Sequence, residues 1–574
     1  MRRYGLALNL NLPTFSAGDA FIVLIAAAVL YLGVRLAIHA PATVTGPNIT
    51  FAPAALPWYA LVSTGRMAIA YLLSLSFAIA YAYTAARNRR VRLVMLPLLD
   101  ILQSVPILSF LPVVLLGMTA VLPERLGVEV ASIVLIVTSR VWNMTFSFYQ
   151  SLTTIPTELR EASAIFRLNP WLRFKTMELP FGSNGLIWNS MVSWAGGWFF
   201  LMADESFNVG NRDFRLPGLG SYLQQAANTG DTTAILLGLG TLVLVIVLLD
   251  QLVWRPLLVW ADRFKVEMSA GDAPPTSWFY NILSRSWLLE QFATHVTHPG
   301  SERLDRRMAR FFDRRAAQRS TSSTPGRPSL VVIGMAVIVV ALLGYAAVQA
   351  VGMLIALTLN EWGQVLQGVL ATFLRVAAAL LIGLVWTIPV GVLIGSNRRA
   401  ANFLQPVVQI TASVPATALF PVIVLALVGI TGSLNAPAII LMLLGTQWYI
   451  LFNVIAGTSA IPQDLKYTTS LLQVKGWARW RTLILPALFP YLITGLVTAG
   501  GGAWNASIVA EYITFGGQTY QVTGIGAVIA EATASGNYDL LLAATLALII
   551  TVVTINRTVW RRLYKVAEER YKME

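Results

Sequence analysis

Continuous apolar runs of about 20 residues recur along this chain, and they constrain its fold more than any other feature. A run of that length crosses a hydrocarbon layer of roughly 30 Å as a helix. Composition closes off a water-soluble alternative, because 56% of the 574 residues are hydrophobic and only 12% are charged. That is about half the charged share of a soluble domain. A membrane β-barrel needs short segments of alternating polarity, and these runs do not alternate. The chain reads as an all-α polytopic membrane protein.

The net charge of +14 does not indicate nucleic acid. Lys and Arg sit beside the apolar runs, the placement that orients membrane helices, and form no single surface stripe. There is no Cys, so disulfides and thiolate-bound metal are excluded. The three His residues are His39, His295 and His298, too few and too scattered for a metal site. The basic start MRRYGLALNL precedes an apolar run without a convincing cleavage site. The expectation is an uncleaved first transmembrane helix with its N-terminus in the cytoplasm.

The chain repeats itself. RNRRVRLVMLPLLDI (87–101) aligns with SNRRAANFLQPVVQI (396–410), and QSVPILSFLP (103–112) with ASVPATALFP (412–421). Further on, Trp142 matches Trp448, Trp198 matches Trp504, Glu205 matches Glu511, and GLG (218–220) matches GIG (524–526). The register shifts by three residues between the two blocks. A unit of about 250 residues has been duplicated. The expected spans of the first unit lie near 18–38, 60–85, 94–121, 128–150, 183–205 and 234–258. Those of the second lie near 328–358, 365–395, 404–430, 436–458, 488–510 and 538–560. The reading is a repeat at 1–260, a basic cytoplasmic linker at 261–327 and a second repeat at 328–574. An even span count per unit makes the repeats parallel and leaves both termini, the linker and every large basic cluster on the cytoplasmic side. The Arg-rich part of the linker has apolar residues at helical spacing (Leu304, Met308, Phe311, Phe312). It suits either the anionic membrane face or a solvated connector.

Two polar islands interrupt the apolar pattern, EASAIFRLNPWLRFKTMELP (161–180) and YTTSLLQVKGWARWRTLILP (467–486). Each has a helical start, a central breaker (Asn169-Pro170 or Lys475-Gly476), an aromatic and basic second segment, and a closing Leu-Pro. This predicts a helix–turn–helix, twice. The islands resemble the EAA loop of permease subunits in ATP-binding-cassette importers: EAA, then Gly after three further residues, then a Leu-Pro ending. The first copy keeps Glu161-Ala162 and Leu179-Pro180 but has Ser163 for the second Ala and Arg167 for the Gly. The second has Tyr467-Thr468-Thr469 for EAA and Gln473 for the Gly. The SVP segments, the Trp198–Glu205 and Trp504–Glu511 spacing, and the GLG and GIG turns look like the nitrate/sulfonate/taurine branch.

The resemblance implies a fused pair of permeases of the type I importer fold in the bacterial or archaeal inner membrane. It implies two cytoplasmic ATPase subunits that bind ATP and magnesium, an extracytoplasmic substrate-binding protein, and a small organic or inorganic anion as cargo. Arg160, Glu161, Ala162, Arg167 and Trp171, with Lys466, Gln473, Gly476 and Trp477, would contact the ATPases. The chain itself holds no P-loop, since no Lys follows a Gly, and WFFLMADE (198–205) reads as helix. No enzymatic activity and no cofactor of its own is expected. An ion-driven transporter and a membrane scaffold are the rival classes.

Ionisable residues within spans are candidates for the pathway. Arg66 and Arg375 occupy equivalent places, as do Glu205 and Glu511. They either line a central cavity, where the Arg fork would suit an oxyanion, or form structural pairs. Trp198 and Trp504 either stack on substrate or pack helices beside Gly196, Gly197, Gly501 and Gly502. Asp100, Arg140 and Asp204 lack charged counterparts and would mark one half as substrate-contacting or form a packed ion pair.

Overall fold

A computed structural model describes residues 17–41, 43–209, 212–264, 276–287, 291, 294–295, 299, 301–303, 305–310, 330–515 and 518–570. The basic start, His298, Leu304, Phe311, Phe312 and the STSSTPGRPS segment lie outside these residues, as does the side chain of Asp100.

The first half comprises α1 (Ala17–Ala37), α2 (Leu56–Arg87), α3 (Arg89–Ser104), α4 (Leu111–Val121), α5 (Glu124–Thr153), α6 (Thr157–Ile165), α7 (Pro170–Arg173) and α8 (Leu179–Glu205). A short hairpin follows (β1, Asn208–Val209; β2, Arg212–Asp213), then α9 (Leu219–Thr229), α10 (Thr232–Leu249) and α11 (Arg255–Asp262). The linker carries α12 (Trp278–Ser284) and helical backbone at 301–303 and 305–310. The second half repeats the order: α13 (Leu330–Ala356), α14 (Leu359–Ser396), α15 (Arg398–Ser413), α16 (Ala416–Thr431), α17 (Asn435–Ser459), α18 (Gln463–Leu471), α19 (Gly476–Arg479) and α20 (Leu485–Glu511). The hairpin β3 (Tyr512–Phe515) and β4 (Gln518–Gln521) leads to α21 (Ile525–Ser535), α22 (Tyr538–Ile555) and α23 (Arg561–Arg570).

Among the described residues seven helices are long and apolar enough to cross a membrane, with shorter apolar helices beside them. The expected third span of each half is two helices instead of one. Pro106 and Pro415 break it, in extended backbone with ψ of 119° and 130°. Pro lacks the amide hydrogen and pushes the residue before it out of helical geometry. The hairpins and the eleven-residue helices α9 and α21 fall between expected spans. Their ends follow a local rule: Gly230 and Gly536 sit at φ of 69° and 72° and terminate α9 and α21. The next residue, Asp231 or Asn537, then caps the following helix by accepting from Ala234 N (3.0 Å) or Leu540 N (3.1 Å).

The halves meet along α1, α4, α16, α20 and α22 in one buried apolar cluster that includes Leu108, Leu111, Phe420, Trp504 and Leu541. Each SVP turn touches the long helix of the opposite half. Asn505 Oδ1 on α20 accepts from Ile107 N (2.5 Å) and Leu108 N (3.3 Å). Thr417 Oγ1 donates to Phe199 O on α8 (3.0 Å).

Candidate functional site

Both polar islands fold as the predicted helix–turn–helix, and their turns are superimposable in hydrogen bonding. In the first, Leu168 N donates to Ser163 O and Arg167 N to Ala164 O (3.1 and 3.0 Å). In the second, Val474 N donates to Thr469 O and Gln473 N to Ser470 O (both 3.0 Å). This is the Schellman closure, which needs its last residue in the left-handed region. Arg167 and Gln473 supply it at φ of 48° and 52°, the only non-glycine residues with positive φ among those described. These are the two positions where the importer loop carries Gly. The backbone demand is therefore intact while the residue that meets it without strain is gone. Replacing Arg167 or Gln473 by Gly should relieve about 1 kcal/mol of side-chain clash, partly offset by a freer unfolded chain. Slower hydrogen exchange at the Leu168 and Val474 amides would register it.

Each turn presents an unpartnered apolar pair. Ile165, Phe166, Leu471 and Leu472 are 69–83% exposed. Beside them the two loops differ. Glu161 is exposed, as is its counterpart Tyr467, while Ala162 is half-buried. Arg160 is drawn inward and donates to Leu152 O (3.2 Å) and Thr153 O (3.1 Å), closing the C-terminus of α5; Lys466 stands half-buried at the matching place. Glu178 is buried and pairs with Arg87 and Arg173, both at 3.0 Å. The matching residue is Ile484, so the second loop is seated by apolar contact instead. Trp171 donates Nε1 to Asp305 Oδ1 of the linker (2.8 Å), whereas Trp477 is 71% exposed. Gly476 opens α19 at φ of 55°.

At the far end of α8 and α20, about 40 Å from the loops at helical rise, lie the ionisable candidates. Glu205 accepts from Ser63 Oγ, Arg66 Nη1 and Gly220 N, each at 2.7 Å. Glu511 accepts from Thr372 Oγ1 (2.7 Å), Arg375 Nη1 (2.8 Å) and Gly526 N (2.9 Å). Both carboxylates are fully buried. The second Gly of GLG or GIG donates its amide to the carboxylate, and a Cβ at the first, Gly218 or Gly524, would land on it. The networks differ at one place: Arg66 also pairs with Glu129 (2.6 Å), while Arg375 binds the neutral Asn435 Oδ1 (2.7 Å).

Between the halves runs a crevice that is open to solvent. Its wall includes Ser206, Asn208, Gln224, Thr417, Phe420 and Thr514 and, among the described residues, carries no charged side chain. Arg66, Arg375, Glu205, Glu511, Trp198 and Trp504 are not among its lining residues; Trp198 and Trp504 are buried in the apolar clusters. The lining hydroxyls and amides escaped sequence reading because single neutral polar residues in apolar helices have no spacing signal. Arg140 and Asp204 are not brought together. Arg140 stacks on Trp194 at 4.9 Å and donates to Met67 O (2.9 Å), and Ser132 Oγ faces Asp204 at 3.5 Å.

The duplicated architecture has known relatives. The family model described as "Binding-protein-dependent transport system inner membrane component" matches the chain twice, at residues 72–253 and 387–572. The bicarbonate transport system permease protein CmpB of Synechococcus elongatus is 33% identical over 164 residues, covering 28% of this chain and 55% of the relative. The nitrate import permease protein NrtB of Leptolyngbya laminosa is 33% identical over 174 residues, covering 30% and 59%. A probable ABC transporter permease of Brucella melitensis is 27% identical over 158 residues, covering 28% and 63%. The matched stretch thus spans little more than half the length of these relatives. With one match in each half and the same helix order in both, the chain belongs to the binding-protein-dependent inner membrane permease family, as two permease repeats in tandem.

Proposed function

We propose that this chain is the permease component that forms the membrane pathway of an ATP-driven importer for a small oxyanion. The observation that carries the proposal is the pair of identically closed turns, one per half, each offering an exposed apolar pair. Two cytoplasmic ATPase subunits dock there, with Glu161, Arg167 and Trp171 around the first site and Lys466, Gln473 and Trp477 around the second. ATP and magnesium bind to those partners. An extracytoplasmic binding protein delivers the anion to the opposite end. Both termini and the linker (261–327) face the cytoplasm, with permease repeats at 1–260 and 328–574.

The mechanism follows from the two long helices. Each of α8 and α20 carries a docking loop at its N-terminus and a wall of the crevice at its C-terminus. A rigid helix moves both ends together, so closure of the ATPases shifts the crevice walls. The cross-contacts Asn505–Ile107 and Thr417–Phe199 pass the movement to the other half. Arg66–Glu205 and Arg375–Glu511 brace the helix ends behind the crevice wall. The crevice meets the anion with neutral hydroxyl and amide groups, which bind it weakly enough to let it leave. The nitrate and bicarbonate named for the relatives are the first candidate cargoes.

The test is uptake into proteoliposomes holding this chain, its ATPase and its binding protein. Uptake should require all three and ATP, and the chain alone should not hydrolyse ATP. Transport by the chain alone along an ion gradient would instead support a secondary transporter.

A further inference from the structure

The linker does more than join the halves. Its helical segment turns one side toward the first docking loop: Ser301, Asp305, Met308 and Ala309 are half-buried there, while Glu302, Arg303, Arg306, Arg307 and Arg310 stay exposed. That spacing is one face of a helix. Lys175 Nζ donates to Ser301 Oγ (2.6 Å) and pairs with Asp305 Oδ2, and Trp171 Nε1 donates to Asp305 Oδ1 (2.8 Å). Both carboxylate oxygens of one linker residue are thus taken by two side chains of the first loop. The Lys175 hydrogen bond, then that of Trp171, holds Asp305 below the usual carboxylate range.

Among the described residues, the second loop has matching donors without the acceptor. Trp477 and Arg481 occupy the places of Trp171 and Lys175, and both are exposed. The clasp leaves the docking tip clear, since Ile165 and Phe166 remain 78% and 76% exposed. It grips the loop from behind, through a segment whose far end continues into the second half. We infer that Asp305 is a positioning residue for ATPase coupling, bracing the first docking loop and only that loop, so that the two halves answer the ATPases unequally. The inference rests on the reading of these loops as ATPase docks.

The experiment uses the full transporter in nanodiscs with its ATPase and binding protein. The chain has no Cys, so Lys175→Cys with Asp305→Cys gives a unique pair for a short bis-maleimide. A bis-maleimide is needed because a contact between long side chains leaves the backbones too far apart for a disulfide. The cross-link should form. Asp305→Ala should lower the ratio of stimulated to basal ATPase about threefold, the size expected for a paired, partly covered contact. Exchanging the charges (Lys175→Asp with Asp305→Lys) should restore part of it, while the thermal stability of both variants stays that of the wild type, which a merely structural role would not allow. Leu472→Asp on the second loop is the control for the docking reading. Absence of the cross-link overturns the clasp. An unchanged ratio in Asp305→Ala, with Leu472→Asp lowering it, overturns the positioning role alone. An unchanged ratio in both overturns the docking reading and the inference with it.

Discussion

Glu511→Ala should leave little thermally stable protein, and Glu205→Ala should cost visibly less. In the second half the carboxylate is the sole anionic partner of Arg375 among the described residues, and the acceptor for Thr372 and the Gly526 amide. Removing it strands a buried guanidinium against one neutral amide, Asn435. Breaking a buried pair from one side costs about 3–5 kcal/mol. In the first half Arg66 keeps its contact with Glu129 at 2.6 Å when Glu205 is lost, so about 2 kcal/mol is expected there. Apparent melting in detergent, followed by the fraction that remains monodisperse, ranks the two. Adding Arg375→Met to Glu511→Ala should recover part of the loss, because it removes the stranded charge. Gly524→Ala should resemble Glu511→Ala, since its methyl group claims the carboxylate's place. Equal losses in the two halves would mean that Glu129 contributes nothing.

The equivalence of these residues was legible in the sequence, but their pairing was not. Offsets of 309 and 306 align Arg66 with Arg375 and Glu205 with Glu511, yet each network joins segments more than 60 positions apart. Only the fold shows that GLG and GIG are carboxylate cradles. The two polar islands were legible as elements, because a breaker and a closing Leu-Pro are local signals. Their shared turn was partly hidden, because Arg167 and Gln473 stand where Gly would have announced a left-handed residue. The linker clasp left no trace in the pattern. Ser301 and Asp305 are ordinary polar residues whose partners lie 126 and 130 positions away. The third span of each half reads as continuous in the sequence because hydrophobicity runs on through the SVP proline, while the hydrogen-bond ladder stops there.

A single acidic residue on either of the proposed docking tips should sharply weaken binding of an ATPase while leaving the permease folded. Phe166 and Leu472 are 76% and 69% exposed, so Asp in either place buries no charge and should change stability by only about 0.5 kcal/mol. An apolar anchor buried at the centre of an interface is worth about 2–4 kcal/mol, or roughly 30- to 1,000-fold in affinity. Asp also carries a charge into that desolvated contact, so the upper part of the range is expected. Binding of the purified ATPase to nanodisc-held Phe166→Asp and Leu472→Asp measures this directly. The two sites should not fail alike. The second loop is seated by apolar contacts around Ile484 and, among the described residues, has no linker side chain bonded to it, so Leu472→Asp removes most of what that dock offers. The first loop keeps its Glu178 clamp and the linker segment, with Arg303, Arg306 and Arg307 exposed beside it, and should retain residual, salt-sensitive binding after Phe166→Asp. Wild-type affinity in both variants would remove these turns from the ATPase contact. Equal and complete loss in both would mean that the first half draws no docking strength from its clamp or its linker.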